Sequence, residues 1–148
     1  MLLSMLAAAG VVAPATAQEE EKPYKISEDG TVDWYTYSGF RRYHADCHVC
    51  HGPDGLGSSF GPALVESLKT MSYEDFLDVV TNGRKNVSTS SDKVMPSFGL
   101  NANVMCFIDD IYAYLKARSD GVLPRGRPEK KQDKPPEAQE RDTACLGG

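Results

Sequence analysis

Cys47-His48-Val49-Cys50-His51 is the stretch that governs how this chain is read. On a helix, thiols three residues apart stand about one turn apart. Both can then reach the two vinyl groups of a single porphyrin, and a histidine that follows at once can turn its imidazole to the iron from the same side. C-x-x-C-H is the attachment signature of c-type haem, so Cys47 and Cys50 are expected to form the thioether links to one haem c, with His51 ligating its iron. The covalent link retains the group even where the domain is small and part of the haem edge is exposed. Two other uses of such cysteines compete. A thioredoxin-like redox pair needs a βαβ setting, which the flanking sequence does not show. A zinc site could draw on Cys47, Cys50 and His44, His48 or His51. Structural zinc sites usually complete their ligand set from a distant second pair, and Cys106 and Cys145 do not make a close pair. His44 and His48 read as bystanders on the helix surface.

On the N-terminal side of the motif, Asp33 can cap a helix that runs through Trp34, Phe40 and Tyr43 toward Cys47. On the other side, Gly52 to Gly61 is rich in Gly, Ser and Pro and reads as a loop. Ser72-Tyr73-Glu74-Asp75 opens a second helix, capped by Ser72 with acidic residues in its first turn, that ends near Asn82-Gly83. Residues 84–99 are polar, and Pro96 forbids a regular helix there. A third helix is expected from about Ala102 to Arg118, where Met105, Ile108, Tyr112 and Leu115 recur at helical spacing. Asp109 and Asp110 fall on its other face, and Lys116 and Arg118 lie in its last turn, where the helix dipole favours cations.

A haem that only transfers electrons is usually closed on its second face. Beyond the leading segment the chain offers Met71, Met95 and Met105. Met105 belongs to the apolar stripe of the third helix, and Met71 precedes the Ser72 cap as a hydrophobic staple. Met95 stands in a loop, with Pro96 fixing the backbone beside it. It lies far enough beyond His51 for a loop and a helix to wrap the haem edge. The axial pair is therefore expected to be His51 and Met95, a soft thioether favouring ferrous iron.

The ends carry different information. Met1 to Ala13 is apolar and small, Ala15-Thr16-Ala17 makes an A-x-A site, and Gln18-Glu19-Glu20-Glu21 follows. That layout predicts a secretory signal cut after Ala17, residues 1–17, rather than a membrane anchor, since the apolar run falls short of the ~20 residues needed to span a bilayer. Residues 18–32 form a polar leader. From Ser119 the chain is rich in Pro, Lys and Glu, with acidic and basic residues in balance. A disordered tail is one reading of residues 119–148, against which Cys145 stands. The net charge of -5 argues against nucleic acid and against an anionic membrane surface as partners.

From Gly39 to about Arg118 the chain resembles a class I cytochrome c. In that family a glycine of the first helix lets the last helix cross closely, with an aromatic four residues on. Gly39 and Tyr43 match, facing Tyr112-Ala113-Tyr114-Leu115. Gly61-Pro62-Ala63-Leu64 resembles the family loop whose proline carbonyl accepts a hydrogen bond from the proximal histidine, which makes Pro62 a partner of His51. The resemblance implies an all-α fold, with helices packed around one covalently bound haem over residues 33–118 and an extended C-terminal tail. Four cysteines, with Cys106 at the start of the last helix and Cys145 near the C-terminus, are similar to a narrower group, the periplasmic four-cysteine cytochromes c of methanol metabolism.

An exported chain with two cysteines beyond its haem pair would otherwise carry oxidisable thiols, so a Cys106–Cys145 disulfide is expected. Its alternatives are a buried apolar Cys106 and a free Cys145 thiol. Closing a loop of about 40 residues is worth roughly 3–4 kcal/mol as an upper guide. The tail would then cross the surface as a Pro-rich strap, ordered near its end.

The resulting expectation is a periplasmic electron carrier and not an enzyme, since no nucleophile with its base or pair of carboxylates is visible. The resemblance implies a quinoprotein alcohol dehydrogenase as donor and a terminal oxidase or another cytochrome as acceptor. Processed, it would span no membrane. The alternatives are a haem with an open sixth site that binds or senses a small ligand, and an electron-inert assembly subunit.

Overall fold

The computed structural model describes residues 21–88 and 91–147, so the signal-peptide reading of residues 1–17 lies outside the described residues. The elements run α1 (Trp34–Asp46), α2 (His48–His51), a 3₁₀ turn (Pro53–Gly55), α3 (Leu64–Ser67), α4 (Tyr73–Asn82), β1 (Arg84–Ser88), β2 (Ser91–Met95), α5 (Ala102–Met105), α6 (Ile108–Ser119) and α7 (Pro136–Leu146). The fold is mostly helical, as expected, with one antiparallel hairpin of β1 and β2. No described helix is long and apolar enough to cross a membrane.

Asp33 starts α1 by taking the Thr36 N–H at 2.9 Å and the Thr36 hydroxyl at 2.7 Å. Its second oxygen also accepts the Lys25 N–H at 2.6 Å, which binds the leader to the helix start. Ser72 caps α4 through the Asp75 N–H at 3.0 Å. The core lies where α1 crosses α6, around Tyr43, Tyr114, Ile111 and Leu115, all buried. The crossing needs Gly39. A Cβ built there would stand 1.8 Å from the Asp110 carbonyl oxygen and 2.9 Å from Tyr114 Cβ. The obstructing atom is backbone, so no rotamer change relieves it, and Gly39→Ala must push the helices apart. The expected cost is about 2 kcal/mol, as for other overpacked cores, read as a shift in the denaturation midpoint of the haem-loaded protein.

Three features differ from the sequence expectation. The third helix is broken: α5 ends at Met105, and α6 begins at Ile108. The break turns the buried Phe107 ring under the Arg42 guanidinium, 3.5 Å from the ring centroid. Asp110, expected on the outer face, is 1% exposed, because Arg141 of α7 reaches it with paired contacts of 2.7 and 2.9 Å. Met95 ends a strand rather than standing in a loop.

The tail is ordered well before its end. Residues 120–129 cross the fold largely through turns and bends rather than as the expected extended strap, and Val32 is bridged to Ile26 and Lys131. Buried Leu123 and Ala138 anchor it. Asp120 accepts from Tyr24 at 2.7 Å and Lys22 at 2.9 Å, and Lys131 lies over the Trp34 and Tyr37 rings. Composition signals disorder because apolar residues are sparse there, but cation–aromatic and ion-pair contacts to the globule take their place. Cys106 and Cys145 are joined by a disulfide with a Cα–Cα distance of 5.8 Å, fastening α7 beside α5.

Candidate functional site

The short helix α2 presents the motif. Cys47 closes α1 with its N–H bonded to the Tyr43 carbonyl, and the His51 N–H returns to the Cys47 carbonyl at 3.0 Å, so both cysteines and the histidine share one helical turn. Gly52 (φ 72°) then breaks the helix. The buried Tyr43 hydroxyl donates to the Gly52 carbonyl at 2.5 Å, tying the turn to the α1–α6 core.

His51 is buried, and its Nδ1 donates to the Pro62 carbonyl at 3.0 Å. A carbonyl only accepts, so Nδ1 carries the proton and Nε2 keeps its lone pair for a metal. Gly61 makes room for this contact: a Cβ there would lie 2.9 Å from His51 Nδ1 and 3.1 Å from Cε1.

Cys47, Cys50, His51, Pro62 and Met95 all line one cavity of about 360 Å³, closed on its deep side by Val104, Ile108, Ile111 and Leu115. The lining is largely apolar, and Phe60, 73% exposed, borders it toward solvent. Met71 and Phe76 also line it, but Met105, packed against the core, does not. Met95 is held in place by its neighbours. Gly83 (φ 74°) lets α4 turn directly into the hairpin, and a Cβ there would be 2.6 Å from the Met95 carbonyl oxygen. Beyond Pro96, Ser97 Oγ donates to the Thr81 carbonyl at 2.5 Å, and the Phe98 N–H to the Val80 carbonyl at 3.0 Å.

Burial pushes the Cys47 thiol up to about 12, with Asp46 and Cys50 adding to the rise. A reactive redox cysteine needs the opposite shift, so Cys47 is not poised as an attacking thiolate. Among the described residues no three His, Cys, Asp or Glu side chains converge on a possible metal position, and the zinc reading lacks its ligand set. Two thiols, a correctly tautomeric imidazole and a thioether around an apolar cavity fit a haem attached through Cys47 and Cys50.

His44 and His48 do not line the cavity. His44, however, is half-buried: its Nδ1 bonds the Phe40 carbonyl at 2.8 Å, and Nε2 stands 3.8 Å from Asp54. Asp54 was missed by the sequence reading. It is buried three residues after His51 in a left-handed conformation (φ 58°). Its carboxylate takes the Gly126 N–H at 3.0 Å and Arg125 Nε at 3.3 Å. Burial alone would raise its pKa, but the Gly126 N–H, Arg125, Arg118 and His44 hold it below the usual range. The tail is thereby fastened to the loop that follows the motif. A Pro-Asp-Gly turn signals the backbone shape but not the burial.

The family described as cytochrome C oxidase, cbb3-type, subunit III matches residues 36–115. Cytochrome c-553I of Paracoccus denitrificans is 55% identical over 130 residues, covering 88% of this chain and 58% of that protein. Cytochrome c-555 of Methylococcus capsulatus is 44% identical over 102 residues, covering 68% of this chain and 76% of that one. The crystal structure of the c-type cytochrome XoxG from Methylobacterium extorquens AM1 superposes with a TM-score of 0.71 at 46% identity, covering 89% of this chain and 87% of that one. The chain thus spans less than two thirds of the length of the Paracoccus relative.

Proposed function

This chain belongs to the class I c-type cytochromes, and from that premise we propose that it is a periplasmic monohaem electron carrier that takes electrons from a quinoprotein alcohol dehydrogenase of the methanol dehydrogenase type. A terminal oxidase or another cytochrome is the acceptor. Residues 33–118 form the haem domain and residues 119–148 an extension tied to it.

The observation that carries this reading is the convergence of Cys47, Cys50, His51 and Met95 on one apolar cavity. Cys47 and Cys50 hold the haem, which supplies one-electron chemistry at iron. His51, oriented by Pro62, and Met95 would supply the ligands to its iron. The apolar wall excludes water and holds the reduced, less charged state against the oxidised one. The methylotroph-type donor rests on the order of the four cysteines and on likeness to XoxG of Methylobacterium extorquens.

The test uses the full chain exported to a haem-maturing periplasm. The purified protein should show a low-spin c-type spectrum. Mixed in its oxidised form with the quinoprotein dehydrogenase of its own organism, it should be reduced when methanol is added, at a rate that depends on ionic strength. No reduction at any salt concentration would remove the proposed donor and leave the electron carrier. A high-spin spectrum in both oxidation states would remove the closed-site carrier itself.

A further inference from the structure

The geometry points to Arg84 and Lys93 as the residues that bind the two carboxylate side chains of the haem. This rests on the reading of the cavity as a haem site. Among the described residues lining it, these two are the only lysine or arginine side chains, and both are exposed toward solvent. Their place in the hairpin is specific. Arg84 pairs with Met95 across the ladder, and Lys93 precedes Met95 by two residues on β2. Directly paired residues share a face of a sheet, as do residues two apart on one strand. Arg84 and Lys93 therefore stand on the same face as Met95.

The charges along the wall are segregated in the sense a haem requires. Among the described residues the one carboxylate of the lining, Asp46, adjoins Cys47, at the end where the vinyl-derived links would form. A porphyrin of this type carries its two propionates on the edge away from the vinyl groups. Two carboxylates entering an apolar cavity need counter-charges or solvent, and the hairpin offers two cations. Among the described residues no ion pair engages Arg84 or Lys93. Arg84 also borders a neighbouring groove with Asp75 and Asp78, but among the described residues neither carboxylate forms an ion pair with it.

The hairpin then has two tasks. It presents Met95, and its two cations would keep the propionates ionised. A cation at that place lowers the propionate pKa and stabilises the reduced, less positive iron. Potentiometric titration of the haem-loaded full chain across pH reads both effects. Arg84→Gln and Lys93→Gln should each lower the midpoint potential and move its pH-dependent step to higher pH. Arg84→Lys, which restores the charge, should return both toward the parent. Lys85→Gln removes the same charge from β1 outside the lining and should change neither. Normal haem spectra with shifts no larger than those of Lys85→Gln would overturn the assignment alone. Absence of thioether-linked haem from the unsubstituted chain would overturn the cavity reading, and this assignment with it.

Discussion

Met95→Ala is expected to lower the reduction potential and abolish the methionine–iron charge-transfer band of the oxidised protein, while the haem stays attached. In the proposed reading the links form at Cys47 and Cys50 beside α2, while Met95 ends β2, so attachment would not depend on the thioether. A thioether favours ferrous iron over ferric because it is soft and uncharged. Replacing it by water or a vacant position removes that preference. The expected fall is on the order of 0.1 V or more, a fraction of the roughly 0.8 V over which axial ligands set haem potentials. Met71 lines the same cavity, so Met71→Ala is the required comparison. If that variant, rather than Met95→Ala, loses the band, the ligand assignment falls. The backbone around Met95 favours the stated outcome. Gly83, the strand pairing with Arg84 and the return bonds of Ser97 and Phe98 to α4 hold residue 95 from both sides.

Arg141→Ala should destabilise the folded protein by about 3 kcal/mol at neutral pH, near the lower end of what removing one partner of a buried pair costs. The lower end applies because Arg141 is half-buried, whereas Asp110 is almost fully enclosed. Burial raises the Asp110 carboxyl above its ordinary value even with Arg141 in place, and the guanidinium opposes that rise. Without Arg141 the carboxyl rises further. An acid whose pKa is higher folded than unfolded binds more protons in the folded state, so its contribution favours folding at low pH and is lost as pH rises through the folded pKa. The deficit of Arg141→Ala should therefore shrink as pH is lowered from neutrality toward the ordinary carboxylate range. Denaturant titrations of both proteins at several pH values measure this. A deficit independent of pH would mean that the loss is packing of Arg141 against Phe107 and Tyr35 rather than the unpaired charge. The Cys106–Cys145 link keeps α7 in place in the variant.

The motif is local, and that is why its geometry could be read from the chain. Cys47, Cys50 and His51 lie within one helical turn, and a turn has the same geometry wherever it occurs. The caps at Asp33 and Ser72 obey the same logic, since each side chain bonds an N–H only three residues on. Gly39 and Pro62 were legible only through resemblance: nothing nearby in sequence says that Asp110 will press on residue 39, or that the Pro62 carbonyl will meet His51.

What tertiary structure alone decided is where charge could be buried and where helices had to stop. Asp110 lies on a polar stripe by periodicity, yet it is enclosed, because a guanidinium from another helix, brought there by a disulfide, supplies its counter-charge. Asp54 resembles any turn aspartate until Gly126 and Arg125 close over it. The break at Cys106 and Phe107 interrupts an otherwise continuous helical pattern and sets the buried Phe107 ring against the Arg42 guanidinium. The strap from residue 120 onward is held by ion pairs and by cations over aromatic rings. Such contacts join residues far apart in sequence, and their strength depends on distance and burial, neither of which composition or periodicity contains.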